Sequence, residues 1–225
     1  KDIAHAVWEL MANFAAYAYC KAHAATYGEL AYQCAYLKAH YPQEFFAAVL
    51  NNRGGFYSPS VYFEEARRCG VPIFPVDVQR SGYEYAPEGL GLRMGFLEVR
   101  GVRQEAWKRI LHARAQAPFV DIHDFFSRSG IQRSDAEILW RVGAFDGFGL
   151  PRPSQYAALC MHYAQTKPKE KQSREGQVSE LVAPAAVPTV SVPDFPLRRR
   201  IEETWPLLGI PYYLHPLRWY LERWQ

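Results

Sequence analysis

The segment Val99-Arg100-Gly101-Val102-Arg103 decides how this chain is interpreted, because it leads directly into a helical stretch over residues 104–114. A second glycine turn, Val142-Gly143-Ala144-Phe145-Asp146, follows a later helical stretch. A glycine turn before a helix points backbone N–H groups outward, and these groups can hold a DNA phosphate without reading any base. From the residues alone, a DNA grip and a purely structural pair of helices both stay open.

The two turns resemble a tandem helix-hairpin-helix unit, which is the sequence-independent DNA grip of many polymerases and repair enzymes. The usual hairpin reads glycine, apolar residue, glycine, whereas Arg103 stands at the second glycine position of the first turn. The departure replaces a glycine by a cation. The resemblance implies DNA contacts from Arg100, Gly101, Arg103, Lys108 and Gly143.

The distribution of charge supports a local contact with an anion. A net charge of +3 is too small to indicate a polyanionic partner by itself. Between residues 93 and 114, however, only Glu98 and Glu105 oppose a cluster of basic side chains. The cluster consists of Arg93, Arg100, Arg103, Lys108, Arg109 and Arg114. A basic segment in a nearly neutral chain predicts that this segment touches an anionic partner.

Length and composition describe a globular chain. The 225 residues, 49% of them apolar and 22% charged, exclude a disordered chain, a collagen and a disulfide scaffold. The length predicts two small units, or one unit with appendages. The chain begins KDIAH without a methionine, and no window holds 18 consecutive apolar residues. We therefore expect a piece of a longer cytoplasmic protein that has no membrane partner.

The four cysteines predict neither a zinc site nor a disulfide framework. Cys20, Cys34, Cys69 and Cys160 are too far apart to form the paired spacing of a zinc ligand set. We expect reduced and mostly buried thiols, as in a cytosolic protein.

Apolar spacing predicts a mainly α fold. Two helix starts are predicted by capping-box spacings, one formed by Thr26 with Glu29 and the other by Ser134 with Glu137. Residues 20–25 would form a junction before the first of these helices. Gly70 and Gly143 are expected to close helices. Helices are expected over residues 3–18, 27–37, 42–50, 59–69, 103–114, 122–128, 134–141, 154–165, 195–208 and 215–224.

Two stretches depart from the helical pattern. Residues 71–78 carry Pro72 and Pro75 and allow at most an edge strand, and a hairpin should follow with its turn near Glu88 and Gly89. Residues 166–193 are rich in proline without any period and predict a flexible linker. Several large aromatic side chains beyond the linker should dock on another unit.

The sequence around Cys20-Lys21-Ala22-His23-Ala24 gives the most specific resemblance. Followed by AYQCAYLKAHYPQEFFAAVLNN, it resembles the fingers of the bacterial DNA polymerase III α subunit, a family C polymerase. The stretches EEARRCGVPIFPVDVQRSGYEY, LRMGFLEVRGV and RVGAFDGFG continue the resemblance collinearly. The family typically has asparagine and serine where Cys20 and Ala22 stand, and asparagine at Gln79. The stretch NNRGGFYSP resembles accessory or error-prone members.

The resemblance implies an architecture and a set of partners. It places a fingers part with an extended or β connector at residues 1–92, a tandem helix-hairpin-helix domain at 93–166, the flexible linker at 167–194, and a helical segment before an OB-fold at 195–225. Lys21 and His23 would face the deoxynucleoside triphosphate. Primer-template DNA and other replisome subunits would be the macromolecular partners. The linker would either meet the sliding clamp through Gln177, Leu181 and Val182 or serve only as a linker.

No catalytic or metal-binding residues are expected in this chain. Two-metal chemistry needs paired carboxylates on rigid neighbouring elements. No two aspartates in this sequence stand at alternating positions of a predicted strand. Asp121 and Asp135 instead suit helix N-termini. The resemblance places Mg²⁺ on a palm outside these residues, so the chain would be inactive alone. A non-enzymatic DNA-binding module and a structural interaction segment are the alternatives.

Overall fold

The computed structural model describes residues 2–18, 20–165, 192–210 and 212–213. These residues are mainly helical and carry one small sheet, as the apolar spacing predicts. The helices are α1 (Asp2–Ala18), α2 (Lys21–His40), α3 (Pro42–Asn52), α4 (Pro59–Arg68), α5 (Gln104–Gln116), α6 (Ile122–Ser129), α7 (Arg133–Val142), α8 (Arg152–Gln165) and α9 (Leu197–Leu208). The strands are β1 (Ile73–Phe74), β2 (Ala86–Glu88) and β3 (Gly91–Arg93).

The hairpin and the edge strand are both confirmed. The sheet has the order β1-β3-β2, with β2 antiparallel and β1 parallel to the central strand β3. Strand β1 is only two residues long because Pro72 and Pro75, on either side of it, have no N–H group for a ladder. A short 3₁₀ helix, Phe96–Glu98, follows β3 and brings the chain to the first glycine turn.

One continuous apolar core positions that turn. It extends from Phe46 on α3 through the sheet to α9 and Ile210. Its densest part is a group of phenylalanines between α6 and the turn after α7, where the ring of Phe125 lies 5.0 Å from that of Phe145. Aromatic pairs at such distances add to the stabilisation from burial. The two predicted glycine turns are therefore fixed to the same core.

The predicted start of α2 is wrong. Residues 21–25 are helical and do not form a junction, and the Thr26 hydroxyl donates to the carbonyl of Ala22 at 2.9 Å instead of capping a helix. The expected buried stripe is also exposed, including Tyr27, Leu30 and Leu37. Among the described elements α2 packs against α3, so most of its length has no neighbour to bury it.

Two further expectations need correction. Helix α7 begins at Arg133 behind Gln132, which makes no side-chain cap, and Glu137 pairs with Arg133 at 2.7 Å instead of completing a capping box. Cys20, Cys34 and Cys69 are exposed and Cys160 is partly buried, so these thiols are not the core residues that we expected. The two glycines predicted to end helices are confirmed, since Gly70 and Gly143 have left-handed φ values of +78° and +82°.

Several expectations lie outside the described residues. Among them are Gln177, Leu181 and Val182, most of the linker, and the helix expected over residues 215–224. Within the described part, every helix is too short or too polar to cross a lipid bilayer.

Candidate nucleic-acid interface

The first glycine turn joins the 3₁₀ helix to α5. The N–H of Arg100 donates to the carbonyl of Leu207 at 3.0 Å, which ties the start of the turn to the end of α9. Gly101 adopts a φ of +87°, a conformation that residues with a β-carbon rarely adopt. A β-carbon there would lie 3.1 Å from the Cδ1 atom of Ile138 on α7. The glycine therefore lets the turn lie close to α7.

The exposed side of this turn carries free hydrogen-bond donors. Within the described part of the chain, the N–H groups of Gly101, Gln104 and Glu105 make no hydrogen bond, and all three residues are exposed. Two of these donors belong to the first turn of α5, where the helix dipole favours a negative charge. This arrangement can hold a phosphate group.

Most of the basic cluster around this turn is already paired. Arg93 binds Glu88 through two bonds of 2.7 Å, Arg109 donates to the carbonyl of Gly130 at 2.7 Å, and Arg114 donates to the carbonyl of Val78 at 3.0 Å. Lys21, Arg100 and Lys108 are the cations of the described residues without any hydrogen bond or ion pair, although Lys108 lies over the Trp107 ring. Two of the three flank the donors of the first turn.

Arg103 has a structural partner that sequence reasoning missed. Its N–H donates to Oδ1 of Asp135 at 3.1 Å, and its guanidinium binds both oxygens of that carboxylate, which is 1% exposed. The hydrogen bond to Asp135 raises the pKa of Arg103 above its ordinary value. The pair fastens the first turn to α7, so Asp135 does not serve as the cap of its own helix. Asp121, by contrast, caps α6 as predicted by accepting from the N–H of Asp124.

Asp135→Ala is expected to lower the free energy of unfolding by about 1–3 kcal/mol. The substitution removes a buried carboxylate and leaves the Arg103 N–H without its acceptor. Urea denaturation of the chain measures the change. Glu44→Ala removes the same charge from an exposed site on α3 and should change stability by less than about 0.5 kcal/mol. Equal midpoints for the two variants would contradict the assigned role of Asp135.

The second glycine turn is filled by the protein itself. Gly143 is buried, and its N–H donates to the carbonyl of Trp140 at 3.0 Å. A β-carbon at Gly143 would overlap the Nη2 atom of Arg152, whose guanidinium binds Asp146 at 2.8 and 3.1 Å. The Gly143 N–H therefore already has an acceptor inside the chain, and a contact between Gly143 and DNA stays a prediction.

Arg152 gave no sequence signal of its own. It is 1% exposed, and it also donates to the carbonyl of Arg141 at 3.3 Å and to the Tyr213 hydroxyl. Burial alone would lower the pKa of Arg152, but the hydrogen bond to Asp146 raises it above the ordinary value. The structure thus divides the two turns into an open first turn and a closed second turn.

Lys21 and His23 lie elsewhere, in the first turn of α2. Both side chains are exposed, and the His23 ring lies 4.4 Å from the ring of Tyr27. No described contact joins them to Arg100, Gly101 or Lys108, so the structure does not bring the two predicted sites together. The described residues also contain no group of three histidine, cysteine, aspartate or glutamate side chains that could hold a metal.

Comparison with known proteins is consistent with this geometry. The helix-hairpin-helix motif family matches residues 70–155, which include both glycine turns. The chain is 35% identical over 216 residues to an error-prone DNA polymerase of Ralstonia nicotianae, with 92% of this chain and 19% of that protein covered.

Two further relatives extend the comparison. An error-prone DNA polymerase of Teredinibacter turnerae is 39% identical over 146 residues, which are 61% of this chain and 14% of the relative. The DNA polymerase III subunit alpha of Thermus aquaticus is 32% identical over 225 residues, which are 96% of this chain and 18% of the relative. The chain thus spans less than one fifth of the length of these three relatives.

Proposed function

Since this chain is a homologue of one segment of the bacterial error-prone DNA polymerases and DNA polymerase III α subunits, we propose that it is the part of such a polymerase that positions the incoming nucleotide and grips DNA. The first glycine turn, with its open N–H groups and unpaired cations, is the observation that carries the DNA grip. Residues 1–92 would be the fingers part, and residues 93–166 the helix-hairpin-helix domain.

The grip would act on the phosphate backbone. The N–H groups of Gly101, Gln104 and Glu105 would bind one phosphate, and Arg100 and Lys108 would neutralise its neighbours. Arg103 would keep the turn in place through Asp135, and Gly143 would let the second turn close around Arg152. Because no base edge is read in this arrangement, binding should not depend on sequence.

Lys21 and His23 would face the nucleotide. An ammonium and an imidazole in the first turn of a helix, both exposed, can donate to a triphosphate. The Mg²⁺ ions of the reaction would be held by carboxylates outside this chain. Residues 177–182, with Gln177, Leu181 and Val182, would meet the sliding clamp, and the protein would act in the cytoplasm with other replisome subunits.

A double substitution of Arg100 and Lys108 by alanine tests the DNA grip. Each lost phosphate contact should flatten the slope of log affinity against log salt by about 0.9 on duplex DNA, so the pair should flatten it by roughly 1.8. Affinity of the chain for a mixed-sequence duplex, measured between about 50 and 200 mM salt, gives the slope. Arg68→Ala is the matched control, since Arg68 is exposed on α4 and pairs with Glu65 at 3.5 Å.

An unchanged slope in the double variant would contradict the grip. A folded chain that binds no duplex at low salt would favour the structural interaction segment. DNA binding in a full-length protein that lacks nucleotide incorporation would favour the non-enzymatic module.

Lys21→Ala in the complete polymerase should weaken the use of nucleotide more than the binding of DNA. Loss of a charge-assisted phosphate contact costs about 1.5–3 kcal/mol, roughly ten- to a hundredfold in kcat/KM for the nucleotide. Steady-state incorporation on a primed template measures the effect, and Lys38→Ala, further along the same helix, is the control because Lys38 already pairs with Glu65 at 2.6 Å. An unchanged nucleotide dependence would make Lys21 a structural residue.

A further inference from the structure

The loop between α3 and α4 presents two aromatic rings to solvent. Phe56 is 93% exposed, more than any other large apolar side chain among the described residues, and Tyr57 beside it is 58% exposed. Their ring centroids are 5.2 Å apart in an edge-to-face arrangement. Gly54 and Gly55 precede the pair and Ser58 follows it. The Tyr57 ring also lies 6.2 Å from the Tyr62 ring in an edge-to-face arrangement.

Contacts on both sides of the loop hold it in place. Arg53 takes a left-handed conformation with φ of +50°, and its guanidinium donates to the carbonyl of Leu97 and to Glu98 at 3.4 Å. Gly55 has a φ of +112°, and a β-carbon there would lie 2.6 Å from the Tyr62 hydroxyl. A fixed backbone lowers the entropy lost when an exposed ring binds a ligand.

These contacts connect the start of the aromatic loop to the segment that leads into the open glycine turn. Glu98 is two residues before Arg100, and the three-residue step from Arg53 to Phe56 spans at most about 11 Å. Burial raises the pKa of the Glu98 carboxyl, and the charges of Arg53 and Arg100 both oppose this shift, so both guanidinium groups act on this one carboxyl. The loop that carries the rings therefore begins at a cation, Arg53, that contacts the segment leading into the first glycine turn.

We propose that Phe56 and Tyr57 form a stacking platform for unpaired bases of a single DNA strand, with Arg53 and Arg100 near its phosphates. Flat rings next to cations are the combination that binds single strands without sequence preference. Bases within a duplex are already stacked on their neighbours and cannot use the platform. The inference rests on the proposed DNA-binding function, because it extends the same phosphate-binding turn to the unpaired part of a primer-template.

Binding of the 225-residue chain to two DNAs tests the platform, one a blunt duplex and the other the same duplex with a single-stranded overhang. Phe56→Ala should weaken binding of the overhang DNA about five- to 100-fold, the effect of losing one stacked base. Binding of the blunt duplex should not change. Phe56→Leu should lose as much as alanine, because leucine keeps an apolar side chain without a flat face, and Phe56→Tyr should retain the affinity. Val120→Ala, which truncates another highly exposed apolar residue, is the control.

The outcomes separate the platform from the proposed function. Equal affinities of wild type and Phe56→Ala for the overhang DNA, with duplex binding intact, would overturn the platform alone. Retained affinity in Phe56→Leu would also overturn it, in favour of an apolar protein contact at the same loop. A wild-type chain that binds neither DNA would overturn the platform and the proposed function together. Circular dichroism of each variant confirms that the fold is kept.

Discussion

Arg152→Ala is expected to lower the free energy of unfolding by about 3–5 kcal/mol, among the largest effects of any single substitution in this chain. The guanidinium is 1% exposed and binds Asp146, the carbonyl of Arg141 and the hydroxyl of Tyr213. Alanine would remove a buried donor from each of these acceptors and would open a cavity beside Trp140, whose indole N–H donates to the Arg152 carbonyl at 2.9 Å. Urea denaturation monitored by tryptophan fluorescence measures the change.

Arg68→Ala provides the comparison, because it removes the same side chain from the surface. Its ion pair with Glu65 is 3.5 Å long and Arg68 is largely exposed, so the loss should stay within about 1 kcal/mol. A change for Arg152→Ala no larger than this would mean that water replaces the guanidinium in the second turn.

Local signals predicted most of the helices and the hairpin. Pro42 and Pro59 begin α3 and α4 as expected, and Gly70 follows the end of α4 in the left-handed conformation. Such residues act through their own backbone angles, so the sequence alone suffices. The predicted start of α2 is wrong for a similar local reason. The alanines at 22, 24 and 25 favour helix strongly enough to outweigh the capping signal of Thr26.

The partners of the cations could not be predicted from the sequence. Arg103 and Asp135 are 32 positions apart, and Arg114 reaches the carbonyl of Val78 across 36 positions. Such contacts depend on how helices pack, which local spacing does not encode. A basic cluster in the sequence therefore overstated the charge available to a phosphate. Arg100 and Lys108 belong to this cluster, and within the described part of the chain they are its two members without a hydrogen bond or ion pair.

Gly143→Ala is expected to destabilise the chain by at least about 3 kcal/mol. Its φ of +82° strains a residue with a β-carbon by roughly 1–2 kcal/mol. The added carbon would also overlap Nη2 of Arg152 and lie 2.8 Å from Oδ2 of Asp146, so the guanidinium must leave its pairs. Gly149→Ala is the matched control, because Gly149 has a φ of +73° and nothing within 4 Å of the added carbon. It should show the backbone strain alone.

The double variant Gly143→Ala, Arg152→Ala separates the two causes. Without the guanidinium the added carbon meets no overlapping atom from Arg152, so the glycine substitution should cost only the backbone strain, close to the value for Gly149→Ala. The summed effects of the single variants should then exceed the effect of the double variant by about 1–3 kcal/mol, as for residues in direct contact. Strict additivity would mean that Arg152 does not fill the second turn.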